Sequence, residues 1–114
     1  MDWITPIIAI GNYEDAQRIE MTVPDIAFVL DATFETHIMH SVPTLKLSIA
    51  DGQAIPDDAI DAAVAFINLA HTLRKKILVH CVAGASRSVS LVAAWMAHTY
   101  DKPVEEMIDA ERQQ

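Results

Sequence analysis

Nine consecutive residues, His80-Cys81-Val82-Ala83-Gly84-Ala85-Ser86-Arg87-Ser88, hold the chain's one cysteine, an arginine six positions beyond it and a glycine between them. The apolar run Ile77-Leu78-Val79 precedes this stretch and a helix-like pattern over 89–96 follows it, so it reads as a strand-to-helix turn. Backbone N–H groups of such a loop, and of the helix start, converge on an anion. The same partial positive charge, joined by Arg87, favours thiolate over thiol at Cys81. A sulfur nucleophile beneath an oxyanion cradle suits phosphoryl transfer through a covalent cysteinyl-phosphate. A buried structural cysteine is the plainer account of a lone thiol. It gives no reason for the arginine or the glycine.

The order His80-Cys81, five residues, then Arg87-Ser88 resembles the signature loop of the cysteine-dependent protein phosphatases. Gly84-Ala85-Ser86-Arg87-Ser88 is most similar to the dual-specificity branch of that family. Outside the loop the likeness is looser. Ile7-Ile8-Ala9-Ile10-Gly11 with Asp15-Ala16 is similar to the family's opening strand and first helix. Residues 26–33 are similar to its second strand, and Ile49-Ala50-Asp51 to the end of the strand carrying the general acid. The resemblance implies an α/β fold, a central sheet flanked by helices, and a metal-independent enzyme without a cofactor. Its expected substrates are phosphorylated proteins, through phosphotyrosine and through phosphoserine or phosphothreonine monoesters. Residues 1–114 then form a single catalytic domain. Family domains usually continue past the segment corresponding to 104–112 into another helix, so the chain is either a trimmed or a compact form.

Each site residue has a role in this reading. Cys81 is the nucleophile, and Arg87 clamps two phosphoryl oxygens with a planar fork that lysine lacks. Val82, Ala83, Gly84, Ala85 and Ser86 line the phosphate loop, Gly84 offering no side chain to obstruct the ligand. Ser88 resembles the hydroxyl that assists the thiolate, although capping the following helix would equally suit a serine there. His80 resembles the family's histidine before the nucleophile, which orients the loop. The leaving oxygen needs a proton, and Asp51, after an apolar strand and before Gly52, matches the family's general acid. Asp57 and Asp58 compete for that role, but after Pro56 they read as first-turn helix acids. His37 and His40 lack the partners a metal site requires. The loop's uncharged positions Val82, Ala83 and Ala85 favour a monophosphorylated substrate over a polyphosphorylated one. Two other functions fit less well: a catalytically silent phosphopeptide-binding module, which should have lost Cys81, Arg87 or the acid, and a phosphatase for a non-protein ester.

The rest of the chain must position these groups. At 114 residues it has the length of one domain, and 52% hydrophobic content suits a packed core. The net charge of −8 argues against nucleic-acid and anionic-membrane partners, so positive potential at the site has to be local. One cysteine excludes an internal disulfide and fits a reducing, cytoplasmic setting, and no run of about 18 apolar residues offers a membrane span. Oligomeric state is not legible. Residues 3–10, 26–30, 45–49 and 77–79 read as strands and 14–21, 56–73 and 88–99 as helices, with 33–41 a loop and a last helical segment opening at Pro103. Strand–helix alternation of this kind builds a layered sheet.

Overall fold

The computed structural model describes residues 1–83 and 86–100. The elements run β1 (Asp2–Trp3), β2 (Ile8–Gly11), α1 (Tyr13–Thr22), β3 (Ile26–Asp31), β4 (Thr44–Lys46), α2 (Asp57–Leu73), β5 (Lys76–His80) and α3 (Ser86–Tyr100). The strands form one sheet in the order β1-β2-β5-β3-β4. β1 is an antiparallel edge and the other pairings are parallel. The α/β expectation is met.

Both faces of the sheet are covered, which explains why its inner strands are apolar throughout instead of alternating. Ile8, Ile10, Leu30, Ile77 and Val79 pack toward Ala63, Ile67 and Ala70 of α2 and Leu91, Val92 and Trp95 of α3. Ala9, Ile26, Val29 and Leu78 point the other way, toward Ala16 and Ile19 of α1. Each such fully buried branched side chain contributes roughly 1.5–3 kcal/mol relative to exposure.

Local chemistry sets the helix starts. α1 opens with a reciprocal cap, in which the Asp15 N–H donates to Asn12 Oδ1 and the Asn12 N–H to Asp15 Oδ2, both at 2.9 Å. Gly11 admits this cap against the sheet, because a Cβ there would lie 3.0 Å from Asp15 Cβ and from Leu78 Cδ1. α2 carries Asp57 and Asp58 in its first turn, as expected, where they complement the helix dipole.

Two strands are shorter than their apolar patterns suggest. Residues 3–10 are not one strand but a hairpin, and the chain reverses between β1 and β2 at residues 4–7. The Ile4 N–H donates to Ile8 O at 2.8 Å, and Thr5 Oγ1 accepts from the Ile7 and Ile8 amides. β4 ends at Lys46 rather than Ile49. Beyond it the Leu47 N–H still reaches Asp31 O, but the Ile49 N–H turns back to Leu47 O, and the chain leaves the sheet. The helical segment expected from Pro103 lies outside the described residues.

Gly11, His80, Asp31 and Lys46 are in register across β2, β5, β3 and β4. They form one row at the carboxyl ends of the parallel strands, the edge where open α/β sheets bind ligands.

Candidate active site

The stretch 80–88 leaves the sheet from this row. His80 is the last residue of β5 and Ser86 the first of α3. Two backbone bonds tie the turn to α1 and its entry. The Cys81 N–H donates to Gly11 O at 3.4 Å and the Tyr13 N–H to Val82 O at 3.1 Å. Val82, Ala83 and Ser86 are exposed to solvent. Gly84 and Ala85 lie outside the described residues.

Cys81 is 1% exposed and in no disulfide. Its sulfur lies 3.3 Å from Ser88 Oγ, a hydrogen-bond contact, in the first turn of α3. Ser88 is completely buried and is the third residue of the helix, inside its start, which accounts for the hydroxyl as a partner of sulfur rather than as a cap.

Arg87 is 5% exposed, unusual for its type. Its Nη1 donates to Glu35 Oε1 at 2.6 Å and to Ile49 O at 2.8 Å, and its Nη2 to Glu35 Oε2 at 3.3 Å. Glu35 therefore fills one edge of the guanidinium. Along the adjacent edge, Nε is buried without a hydrogen-bond acceptor among the described residues. A buried charged donor left unmatched is costly unless an acceptor arrives. The hydrogen bond to Glu35 is the largest influence raising the Arg87 pKa, with smaller contributions from Cys81 and Asp51 and opposition from burial. The same bond to Arg87 holds the Glu35 carboxyl below the usual carboxylate range.

Asp51 stands at the mouth of this arrangement, about two-thirds exposed and with Oδ1 3.9 Å from Arg87 Nε. Ser86 Oγ donates to the same oxygen at 3.3 Å. Asp51 owes its place to the departure of the chain from β4 and to a tight turn. The Gln53 N–H reaches Ala50 O at 3.3 Å, and Gly52 adopts a φ of +76° that other residues resist. Asp57 and Asp58 instead open α2.

Immediately before Cys81 in the chain, His80 is fully buried and neither ring nitrogen has a hydrogen-bond partner among the described residues. Burial is the main cause pulling its pKa down to about 4, against the pull of Asp31, whose Oδ1 is 3.8 Å from Nε2. The unfolded chain takes up this proton below about pH 6.5, whereas the native ring stays neutral until about 4. Acid therefore favours the unfolded state across that window. His80 is expected to cost on the order of 3 kcal/mol of stability by pH 4. Urea melts at pH 7 and pH 4.5 of the wild type and His80→Asn check this. The variant should lose less stability than the wild type between the two, and equal losses would refute the assignment.

Glu35 is the residue that local patterns missed. It lies in the stretch correctly expected to be loop, 52 positions from its partner. Its only sequence signal is an acid in an otherwise uncharged run from Ala32 to Val42. Among the described residues no cluster of His, Cys, Asp and Glu could hold a metal, and no helix is long and apolar enough to cross a membrane.

Comparison with known proteins bears on the family and the fold. Residues 8–114 match the family model described as the dual specificity phosphatase catalytic domain. Dual specificity protein phosphatase 22 of Xenopus tropicalis is 28% identical over 98% of the chain and 55% of its own length. A dual specificity protein phosphatase of Variola virus is 24% identical over 84% of the chain and 58% of its own length. The chain thus spans a little over half the length of these curated relatives. Among solved structures, DUSP15 superposes with a TM-score of 0.85 at 22% identity, covering 99% of this chain and 76% of that one. Tk-PTP in its active form gives 0.84 at 19%, covering 97% and 81%. These structural likenesses carry the fold, and the match of the family model along nearly the whole length carries the kinship: the chain belongs to the dual specificity phosphatase family.

Proposed function

We propose that this chain is a metal-independent protein phosphatase acting on phosphotyrosine and on phosphoserine or phosphothreonine monoesters through a cysteinyl-phosphate. The unmatched Nε edge of Arg87 carries this reading. It is a buried cationic fork with one side fixed by Glu35 and no acceptor on the other among the described residues, beside the chain's only cysteine. Bidentate oxyanion binding is what a guanidinium does best.

The Cys81 thiolate attacks phosphorus and the ester P–O bond breaks. The departing oxygen takes its proton from Asp51. Water then attacks the cysteinyl-phosphate and gives a proton to Asp51 while the S–P bond breaks, releasing inorganic phosphate and restoring the thiolate. Ser88 steadies the sulfur as it gains and loses charge. Arg87 follows the equatorial oxygens, where charge moves in a loose transition state. Val82, Ala83, Gly84, Ala85 and Ser86 supply the loop, His80 supports it, and residues 1–114 form one catalytic domain. A chain of net charge −8 suits neither nucleic acid nor an anionic membrane as partner, and its single thiol suits a reducing cytoplasm.

Hydrolysis of a small aryl phosphate in the presence of a chelator tests the reading, and abolition of turnover by chelation would overturn it. Asp51→Asn locates the acid. A positioned acid supplies roughly 10²–10⁴-fold, so kcat/KM for a phosphotyrosine peptide, which reports the steps through departure of the leaving group, should fall by that order. The kcat/KM of nitrophenyl phosphate, whose leaving group needs little protonation, should be affected far less. An equal loss of kcat/KM on both substrates would move the acid role away from Asp51.

A further inference from the structure

Lys46 belongs to no part of the chemistry above, yet among the described residues its ammonium is a heavily engaged donor at this edge of the sheet. Nζ donates to Thr36 O at 2.7 Å, Thr33 O at 2.9 Å and Asp31 Oδ2 at 3.1 Å, and it lies 3.4 Å from Thr33 Oγ1. The two carbonyls bracket Phe34 and Glu35. Residues 33–36 therefore form an arch, closed at its base by one lysine, with Glu35 at its crown. The arch rests on the site at a second point. The Phe34 N–H donates to Ile49 O at 3.2 Å, and that carbonyl also accepts from Arg87 Nη1. Asp31 anchors the near foot, accepting from the Thr33 N–H at 2.9 Å and from Thr33 Oγ1 at 2.6 Å.

We propose that Lys46 is a positioning residue for phosphate binding, acting through the 33–36 arch to hold Glu35 on Arg87. The proposal rests on the reading of Arg87 as the phosphate clamp. A loop of this kind has no ladder to hold it, and its carbonyls have water as an alternative partner. The ammonium stops that exchange, and its tie to the 2%-exposed Asp31 fixes the base of the arch to β3. With the arch closed, Glu35 meets the guanidinium along one edge and turns Nε and the rest of Nη2 toward the loop after Cys81. With it open, Glu35 drifts toward water and the guanidinium is free to rotate. A displacement of about 1 Å in such a clamp is enough to cost up to 10²-fold. An ordinary exposed lysine ion pair contributes little. The particular function here comes from what the arch carries.

A double-mutant cycle of Lys46→Met and Glu35→Gln on the full chain tests this. The readouts are the competitive inhibition constant of inorganic phosphate and the separate kcat and KM for an aryl phosphate. Each single variant should raise the inhibition constant about tenfold, in KM more than kcat, and the double variant should be no worse than Glu35→Gln alone. An unchanged constant for Lys46→Met, or effects that multiply in the double variant, would overturn the proposal. If Lys46→Met does not fold, Lys46→Gln, which keeps a polar end too short to span both carbonyls, enters the same cycle with the same criteria. Failure of the wild type and of Cys81→Ser to bind phosphate at all would sink the clamp and this proposal together. Binding with a multiplicative cycle would sink the lysine's role alone.

Discussion

Cys81→Ser is expected to abolish turnover of aryl phosphate and phosphotyrosine peptide, leaving less than about 10⁻³ of wild-type activity, while phosphate still binds. The reason lies in the division of labour at the site. Serine keeps the volume and the contact with Ser88, but at neutral pH an alcohol offers no appreciable anion, whereas a thiol is the least reluctant of the neutral nucleophiles. Arg87 and the loop are untouched by the change, so calorimetric titration with inorganic phosphate should report affinity within a few-fold of wild type. Retained hydrolysis would place the nucleophile elsewhere. Loss of phosphate affinity along with activity would show that the sulfur carries binding as well as attack.

Arg87→Lys is the second large effect. The charge is preserved and only the fork is lost, so the variant separates electrostatics from geometry. Among the described residues the guanidinium makes three hydrogen bonds, to Glu35 twice and to Ile49 O, and its Nε has no acceptor. A lysine ammonium is one compact point and cannot hold Glu35 along one edge while receiving an oxyanion along another. Removing one preorganised donor from a developing oxyanion typically costs 10²–10³ in kcat, and kcat should fall by about that amount here. Circular dichroism should stay unchanged, since the residue ends at the site rather than in the core clusters. Activity within a few-fold of wild type would mean that charge alone suffices and that the fork argument is mistaken.

The candidate site was legible in the sequence where its parts are local. Cys81, Arg87 and Ser88 sit in one turn, and their order alone places sulfur, guanidinium and hydroxyl together. Asp51 was legible for a different reason, as an acid following an apolar run and preceding a glycine. The structure sets it 3.9 Å from Arg87 Nε. Glu35 and Lys46 were not legible, because each acts across the sheet's edge on residues far away in the chain. Lys46 read as the wet side of a strand, which is true of its backbone and silent about the arch its ammonium closes.

The fold shows the same division. Helices α1 and α2 announce themselves through Asn12 with Asp15 and through Pro56 with its acids, features contained within one turn. Strand limits depend on partners. The apolar run at residues 3–10 hides a reversal that Thr5 and Pro6 signal only faintly, and β4 stops early because the Ile49 amide bonds back to Leu47 O. That early exit is what brings Asp51 beside Arg87, so the least predictable strand end sets the place of the proposed acid.

The most direct test is to quench the enzyme in acid during turnover of an aryl phosphate, digest it and analyse the peptides by mass spectrometry. A phosphoryl group should appear on the peptide containing Cys81, accumulate further in Asp51→Asn where its hydrolysis is slowed, and be absent from Cys81→Ser. Steady turnover with no phosphorylated Cys81 in either active form would contradict the covalent route.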